Sequence, residues 1–334
     1  MKKILTISIA AYNVEKFIRK ALDSLLIKDI DKLEILVEDD GGTDGTADIV
    51  KEYEKRYPNS IKLIHKKNGG YGSTINKSLE MATGKYFKQL DGDDWYNKKG
   101  LQEIITKLEK INVDVIYTPI VNYWDETEKE VIIDDFKRLK TDTYKINDVI
   151  TTKDYLQMHN IMYKTEILKK SKLKLFEKCF YTDIQYALKP LYNVDTIYIC
   201  HTPLYYYRLG LGEQSVSISG RIKHCDDQIK VAKDLIKYYK NIKKLSPYEK
   251  YANNYIEKIE TTTLSNFIIL TPNKKHGIKK YKEFDHYIFN KNRELYKNME
   301  KHGKIVKLMR LSKYNYIIYC IISKLKLNKM KKIK

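Results

Sequence analysis

The sequence predicts an α/β fold: a mostly parallel sheet flanked by helices, with a helical C-terminal extension. Three observations predict it. Apolar strand-like runs alternate with helically spaced runs over the first hundred residues. Several of these strand-like runs end directly in a polar cluster. From about Ile222 onward the chain reads only as helices rich in lysine and tyrosine. Alternation of this kind implies parallel pairing, because parallel neighbours must be joined by a crossover, usually a helix.

Each element follows from its pattern. Ile4 to Ala10 is mainly apolar and reads as a strand, Val14 to Leu26 has helical spacing, Leu33 to Glu38 is a second strand and Asp44 to Tyr57 a second helix. Ile61 to Ile64 is a short strand; Gly69, Gly70 and Gly72 make a flexible loop; Ser73 is placed to cap a helix reaching Met81; Tyr86 to Leu90 is a further strand. Beyond Asp94 the pattern loosens into a helix near Leu101 to Lys110, a strand at Asp114 to Thr118 and mixed elements through Tyr207, with a break at Asn241 to Pro247. We therefore expect a catalytic domain over 1–220 and a helical, basic region over 221–334.

The 334 residues suffice for one large core with an appendage. Cys179, Cys200, Cys225 and Cys320 stand far apart, with no zinc or redox spacing, as expected of free thiols in a reducing compartment. Met1 to Ala11 reads as a first strand rather than a signal peptide, since no small-residue cleavage site follows it. No apolar stretch approaches the roughly 18–20 residues that span a bilayer, so a cytoplasmic protein is expected. The net charge of +20 predicts an anionic contact without choosing among nucleotide, lipid surface and nucleic acid. No motif for specific nucleic-acid recognition is present.

Three polar clusters lie just beyond strands, the edge at which parallel sheets bind ligands. In Asp91-Gly92-Asp93-Asp94-Trp95, two carboxylates separated by a glycine suit a hard divalent cation such as Mn²⁺ or Mg²⁺ bridged to phosphates. Alone, such a pair is more often a solvated acidic turn; its position after an apolar strand and the company of the other clusters reverse that weighting. In Glu38 to Thr46, Asp40 can accept a hydrogen bond from a base while Thr43 or Asp44 caps the next helix. In Ala10-Ala11-Tyr12-Asn13, the Tyr12 ring can stack on a nucleobase. Asn68 to Ser73 lacks the Gly-Lys-Ser/Thr ending of a phosphate loop, which leaves Lys77 a weak donor-site candidate. No histidine pair has metal-ligand spacing; His224 alone lies near enough to the candidate segments to be singled out.

Taken in order and spacing, Ser8 to Asn13, Glu34 to Thr46, Asn68 to Gly70, Ala82 to Phe87 and Leu90 to Trp95 resemble the family 2 glycosyltransferases of GT-A (Rossmann-like) fold. The resemblance implies donor contacts from Ala10, Tyr12, Asp39, Asp40, Asp91 and Gly92, with Tyr12 and Asp40 on the base, usually uracil. It implies a metal held by Asp93 with Asp91, and Asp94 in support. Inverting members place a general base about ninety residues further on. The segment Phe180 to Tyr186 resembles that site, with Asp183 matching the base and Thr182 standing where a glutamate is common. A helix-capping role is the alternative for Asp183. Pro203 to Arg208 and Gln214 to Ser217 are similar to the segment many bacterial members place after the base. The implied partners are a nucleotide-sugar donor and a glycan, lipid-linked glycan or glycoprotein acceptor. A non-catalytic nucleotide-sugar binder of the same fold is the competing reading.

Lys304 to Lys334 holds ten basic residues and no acidic one around an apolar stretch. Such a segment can lie on an anionic membrane surface or pack as a solvated helix.

Overall fold

The computed structural model describes residues 2–210, 215, 217–239 and 247–331. The chain forms two compact units, Met1–Leu211 and Gly212–Lys334. Residue 220, where the sequence reading drew its boundary, lies inside a short helix of the second unit.

The first unit runs β1 (Leu5–Ala11), α1 (Glu15–Asp23), β2 (Leu33–Asp39), α2 (Thr46–Arg56), β3 (Ile61–His65), α3 (Tyr71–Met81), β4 (Tyr86–Asp91), β5 (Trp95–Tyr96) and α4 (Lys98–Leu108). It continues with β6 (Val115–Tyr117), β7 (Ile120–Trp124), β8 (Lys129–Ile133), β9 (Asp142–Lys145), α5 (Ile146–Val149), β10 (Ile161–Lys164), α6 (Thr165–Lys170), α7 (Asp183–Leu188), β11 (Thr196–Ile199) and β12 (Tyr205–Leu209). The large sheet has the order β3-β2-β1-β4-β10-β6-β11-β9 and the small one β5-β12-β7-β8. In the large sheet β3, β2, β1 and β4 pair in parallel. β10 is antiparallel to both β4 and β6. The inner strands are buried along nearly their whole length, as strands covered on both faces must be. Their core is built from Leu5, Ile7, Ile9, Ile35, Val37 and Leu90 with Ile18, Leu22 and Ile104 from the helices.

The sheet positions the site through its register. β1 lies between β2 and β4, so the chain order reverses there and a crevice opens at the strands' carboxyl ends. Ala10 is paired with Asp91 and Ala11 with Asp39, so the three polar clusters emerge side by side. Helix ends differ from the sequence reading for local reasons. α1 stops at Asp23 because the Ser24 hydroxyl bonds back to Ala21 O (2.6 Å) and the next amide, Leu25 N–H, tightens onto Leu22 O (3.0 Å). α4 starts at Lys98 because Asn97 caps it through Gly100 N–H (3.1 Å). α3 starts at Tyr71, ahead of Ser73, whose hydroxyl turns back to Gly70 O (2.6 Å) instead of capping.

The second unit contains α8 (Ile218–Lys223), α9 (Cys225–Tyr239), α10 (Pro247–Thr262), α11 (Lys274–Lys291), α12 (Arg293–His302), α13 (Lys304–Leu311) and α14 (Tyr316–Lys331). The expected break at Asn241 to Pro247 lies outside the described residues up to position 246, as do Gln214, Val216 and positions 332–334. Tyr281, Ile288, Met299, Val306 and Tyr319 are buried in its core. Among the described residues no helix is long and apolar enough to cross a membrane.

Candidate active site

The site is assembled from the loops that follow β1, β2 and β4. The first two are stitched together by polar side chains. Asp44 accepts the N–H of Glu15 and of Thr46, both at 3.0 Å, and so caps α1 and α2 at once. Asn13, in left-handed backbone (φ 53°), accepts Thr43 N–H at 2.8 Å. Gly92 donates its N–H to Ala10 O at 3.0 Å. A Cβ on Gly92 would lie 2.9 Å from that same oxygen, so only glycine lets the first and third loops approach this closely.

Asp39 and Asp40 are both buried and turned into the loops. Asp39 accepts Gly42 N–H (2.9 Å) and contacts His65 Nδ1 (2.7 Å). Asp40 accepts Gly69 N–H (2.9 Å), Gly70 N–H (2.8 Å) and the Lys66 ammonium. A carboxylate offers about four acceptor positions, so Asp40 retains about one for a ligand. The Tyr12 ring, by contrast, is 53% exposed at the rim.

The glycine loop has an architectural use. Gly70 has φ 77°, and a Cβ there would stand 2.9 Å from the backbone N of Lys178. Lys178 N–H donates to Gly69 O at 2.6 Å. The loop thereby fixes the segment that runs on to Asp183, the first residue of α7. Lys77 pairs with Glu80 (3.2 Å) one turn along its own exposed helix face.

At the end of β4 a second network closes. Asp91 accepts Tyr71 OH (2.8 Å) and the Gln89 amide, and its other oxygen lies 3.4 Å from His159 Nε2. Burial raises the Asp91 pKa, but His159, Tyr71 and Gln89 outweigh it and hold the group below its ordinary value. Asp94 is buried, accepting Tyr205 OH (2.7 Å) and Arg208 N–H (2.7 Å). Burial and the charges of Asp93 and Asp91 push its pKa well up. Asp93 makes no hydrogen bond or ion pair through its carboxyl with another described side chain. Burial and the neighbouring Asp91 charge push it up to about 6. Arg208 fastens the acidic loop from behind, donating to Asp93 O (2.7 Å) while pairing with Asp125 (2.5 Å).

His159 sits on the 3₁₀ turn Met158–Asn160 before β10, between the rings of Tyr205 and Tyr207 at 4.8 and 4.7 Å. Buried Lys88 holds that turn by donating to His159 O (2.9 Å) and Ile161 O (3.1 Å). One ligand atom each from Asp91, Asp94 and His159 lies within 4.8 Å of the other two. The expected metal pair was Asp91 and Asp93, and Asp93 is not in this trio. Repelling carboxyls beside an imidazole are a donor set suited to Mn²⁺ or Mg²⁺, with the nitrogen favouring Mn²⁺. Asp183 is near enough to feel both partners: burial raises its pKa, His159 draws it back and the Asp91 charge raises it again. The backbone N–H groups of Asp183 and Ile184 also draw its pKa down, while the Thr182 side chain makes no capping bond.

The profile of the family described as glycosyl transferase family 2 matches residues 6–172, half of the chain. The chain belongs to that family. Similar proteins include the uncharacterized glycosyltransferase YibD of Escherichia coli (strain K12), 25% identical over 266 residues that cover 76% of this chain and 73% of that one. Among solved structures, S. aureus TarS 1–349 in complex with UDP-GlcNAc superposes with a TM-score of 0.60 at 18% identity, over 90% of this chain and 92% of that one. The mannosyltransferase PcManGT from Pyrobaculum calidifontis, in complex with GDP-Man and Mn²⁺, gives 0.53 at 14% identity, over 98% and 87%. At those identities the likeness is one of fold, and the fold is GT-A. This chain is a glycosyltransferase enzyme with the α/β fold that the motifs had suggested.

Sequence reasoning missed His159. It singled out His224, which belongs to the helical unit and lies 3.3 Å from Asp227. Nothing near His159 in sequence has ligand spacing, and no signal short of strand pairing brings it to Asp91, 68 residues away.

Proposed function

We propose that this family 2 glycosyltransferase is a metal-dependent inverting enzyme working in the cytoplasm. It moves a sugar from a nucleoside diphosphate, UDP before others, to a hydroxyl of a glycan, lipid-linked glycan or glycoprotein acceptor in surface-glycan synthesis of bacterial type. One observation carries the reading: ligand atoms of Asp91, Asp94 and His159 lie within 4.8 Å of one another beyond β4, and the charges of Asp91 and His159 act on both Asp93 and Asp183. The UDP-GlcNAc of one fold neighbour and the GDP-Man and Mn²⁺ of another support donor class and metal.

Asp91, Asp93 and His159 would hold the cation, and Asp94 would keep the loop in place through Tyr205 and Arg208. A bound Mn²⁺ or Mg²⁺ supplies the positive charge that stabilises the departing diphosphate. Tyr12 and Asp40, supported by Ala10, Asp39 and Gly92, would contact the donor's nucleoside. Asp183 takes the proton of the acceptor hydroxyl as its oxygen bonds to the anomeric carbon and the bond to the diphosphate breaks on the opposite face. A base with a raised pKa keeps its proton more firmly once received.

The test is a hydrolysis and transfer screen over nucleotide sugars with Mn²⁺, Mg²⁺ and chelator, run on wild type and Asp183→Asn. Turnover of at least one UDP-sugar that chelator abolishes is expected. Asp183→Asn should lower it by about 10²–10⁴ with nucleotide binding retained. Wild-type turnover in Asp183→Asn would remove the assigned base. Metal-dependent binding with no turnover of any donor would favour a non-catalytic binder.

A further inference from the structure

We propose that α13 and α14 dock the protein on the surface of a bilayer containing anionic lipid. The proposal goes beyond the transferase reading and does not depend on donor or metal chemistry.

The orientation of both helices is fixed by their inner faces. α14 buries Tyr319, whose hydroxyl donates to Ile268 O (2.8 Å), and Ser323, whose hydroxyl donates to Ile269 O (2.6 Å). α13 buries Val306 and Met309, and the Arg310 guanidinium after them pairs with the fully buried Asp285 at 2.6 Å. The outer faces are consequently presented by a held scaffold. On α14 Ile317, Ile321 and Leu325 recur every fourth residue, which aligns them in one stripe. They are 67%, 53% and 64% exposed. On α13 Leu308 and Leu311 are 46% and 72% exposed. Single exposed leucines are ordinary, but five exposed aliphatic side chains, three leucines and two isoleucines, on adjoining helices mark a surface that meets something apolar.

Charge identifies the partner. From Lys304 to Lys331 there is no acidic residue, and Lys307, Lys313, Lys324 and Lys329 are exposed around the stripe. A second copy pairing face to face would bring two such lysine sets together, and like charges so placed repel. A bilayer with anionic headgroups answers both properties: the lysines meet the phosphates while the leucines and isoleucines enter the acyl boundary. α14, at 16 residues, lies along the interface and does not cross it.

The experiment is co-sedimentation of the full chain with vesicles of phosphatidylcholine alone or mixed with phosphatidylglycerol. Two variants are compared, Leu311→Ser/Ile317→Ser/Leu325→Ser and Lys307→Gln/Lys313→Gln/Lys324→Gln. All six positions are exposed, and circular dichroism checks that helix content is kept. Wild type should pellet with the mixed vesicles and stay in solution with the neutral ones. Each triple variant should lose about tenfold or more in partitioning. Three results overturn the proposal: no pelleting of wild type with either vesicle, pelleting of the apolar variant equal to wild type, or a wild-type dimer that the apolar variant dissociates.

Discussion

Asp91 accepts from Tyr71 and Gln89 on one oxygen and faces His159 with the other, so its position is set before any ligand arrives. Burial and the Asp91 charge raise the pKa of Asp93 beside it to about 6. This division, one carboxylate fixed and its neighbour without a side-chain partner among the described residues, is what a cation can use. His159→Ala should then weaken Mn²⁺ binding by about tenfold or more, since even outer partners at metal sites are worth that much. Manganese titration followed by electron paramagnetic resonance reads the loss without relying on turnover, and unchanged affinity would exclude His159 as a ligand. Lys88 acts one step further back. Burial brings its ammonium down to about 7, and it holds the carbonyls of the turn bearing His159. Lys88→Met should lower Mn²⁺ affinity in the same titration, because two buried carbonyls lose their donor and the turn relaxes.

At the scale of elements, the glycine loop before α3 and the strand β2 carry the main liabilities. Gly70→Ala forces a side chain into left-handed backbone and against Lys178. A cost of about 1–3 kcal/mol is expected, and because the displaced segment leads to Asp183, kcat should fall more than donor affinity. Steady-state kinetics alongside thermal unfolding separates the two. Glu38 in β2 is buried, with one oxygen bonded to the Ser78 hydroxyl at 2.9 Å and the other without a hydrogen-bond partner among the described residues. Burial raises its pKa from 4.5 to about 7. Between those values the folded protein holds a proton that the unfolded chain has released, so this group's contribution to stability declines as pH rises from about 4.5 to about 7. Glu38→Gln should remove that slope and gain about 1–3 kcal/mol at pH near 8. Denaturation at pH 5 and pH 8 checks it, and an unchanged slope would mean another group is responsible.

Over the whole molecule, charge is the dominant property, at +20. Spread over lysine-rich helices with no nucleic-acid motif, it predicts weak, sequence-independent binding to polyanions. Filter binding to duplexes of unrelated sequence should give equal affinities that vanish between about 50 and 200 mM salt. Retention on one sequence at the higher salt would contradict that. The two compact units also differ in how legible they were. The strand and helix alternation of the first unit is written in apolar periodicity, so β1 to β4 and their helices were readable to within a few residues. The small sheet was not readable, because β5 has two residues and β12 pairs with β7, 85 positions away by register.

The sequence by itself determined the α/β class, the family and the candidate motifs, because each is local: periodicity, a glycine between carboxylates, a polar cluster directly after a strand. Only the tertiary structure decided which side chains share the pocket. The antiparallel insertion of β10 beside β4 carries His159 to Asp91, and the contact of Gly70 with Lys178 fixes the approach to Asp183. Those meetings join residues far apart in the chain, and strand pairing, which no short window encodes, is what brings them together.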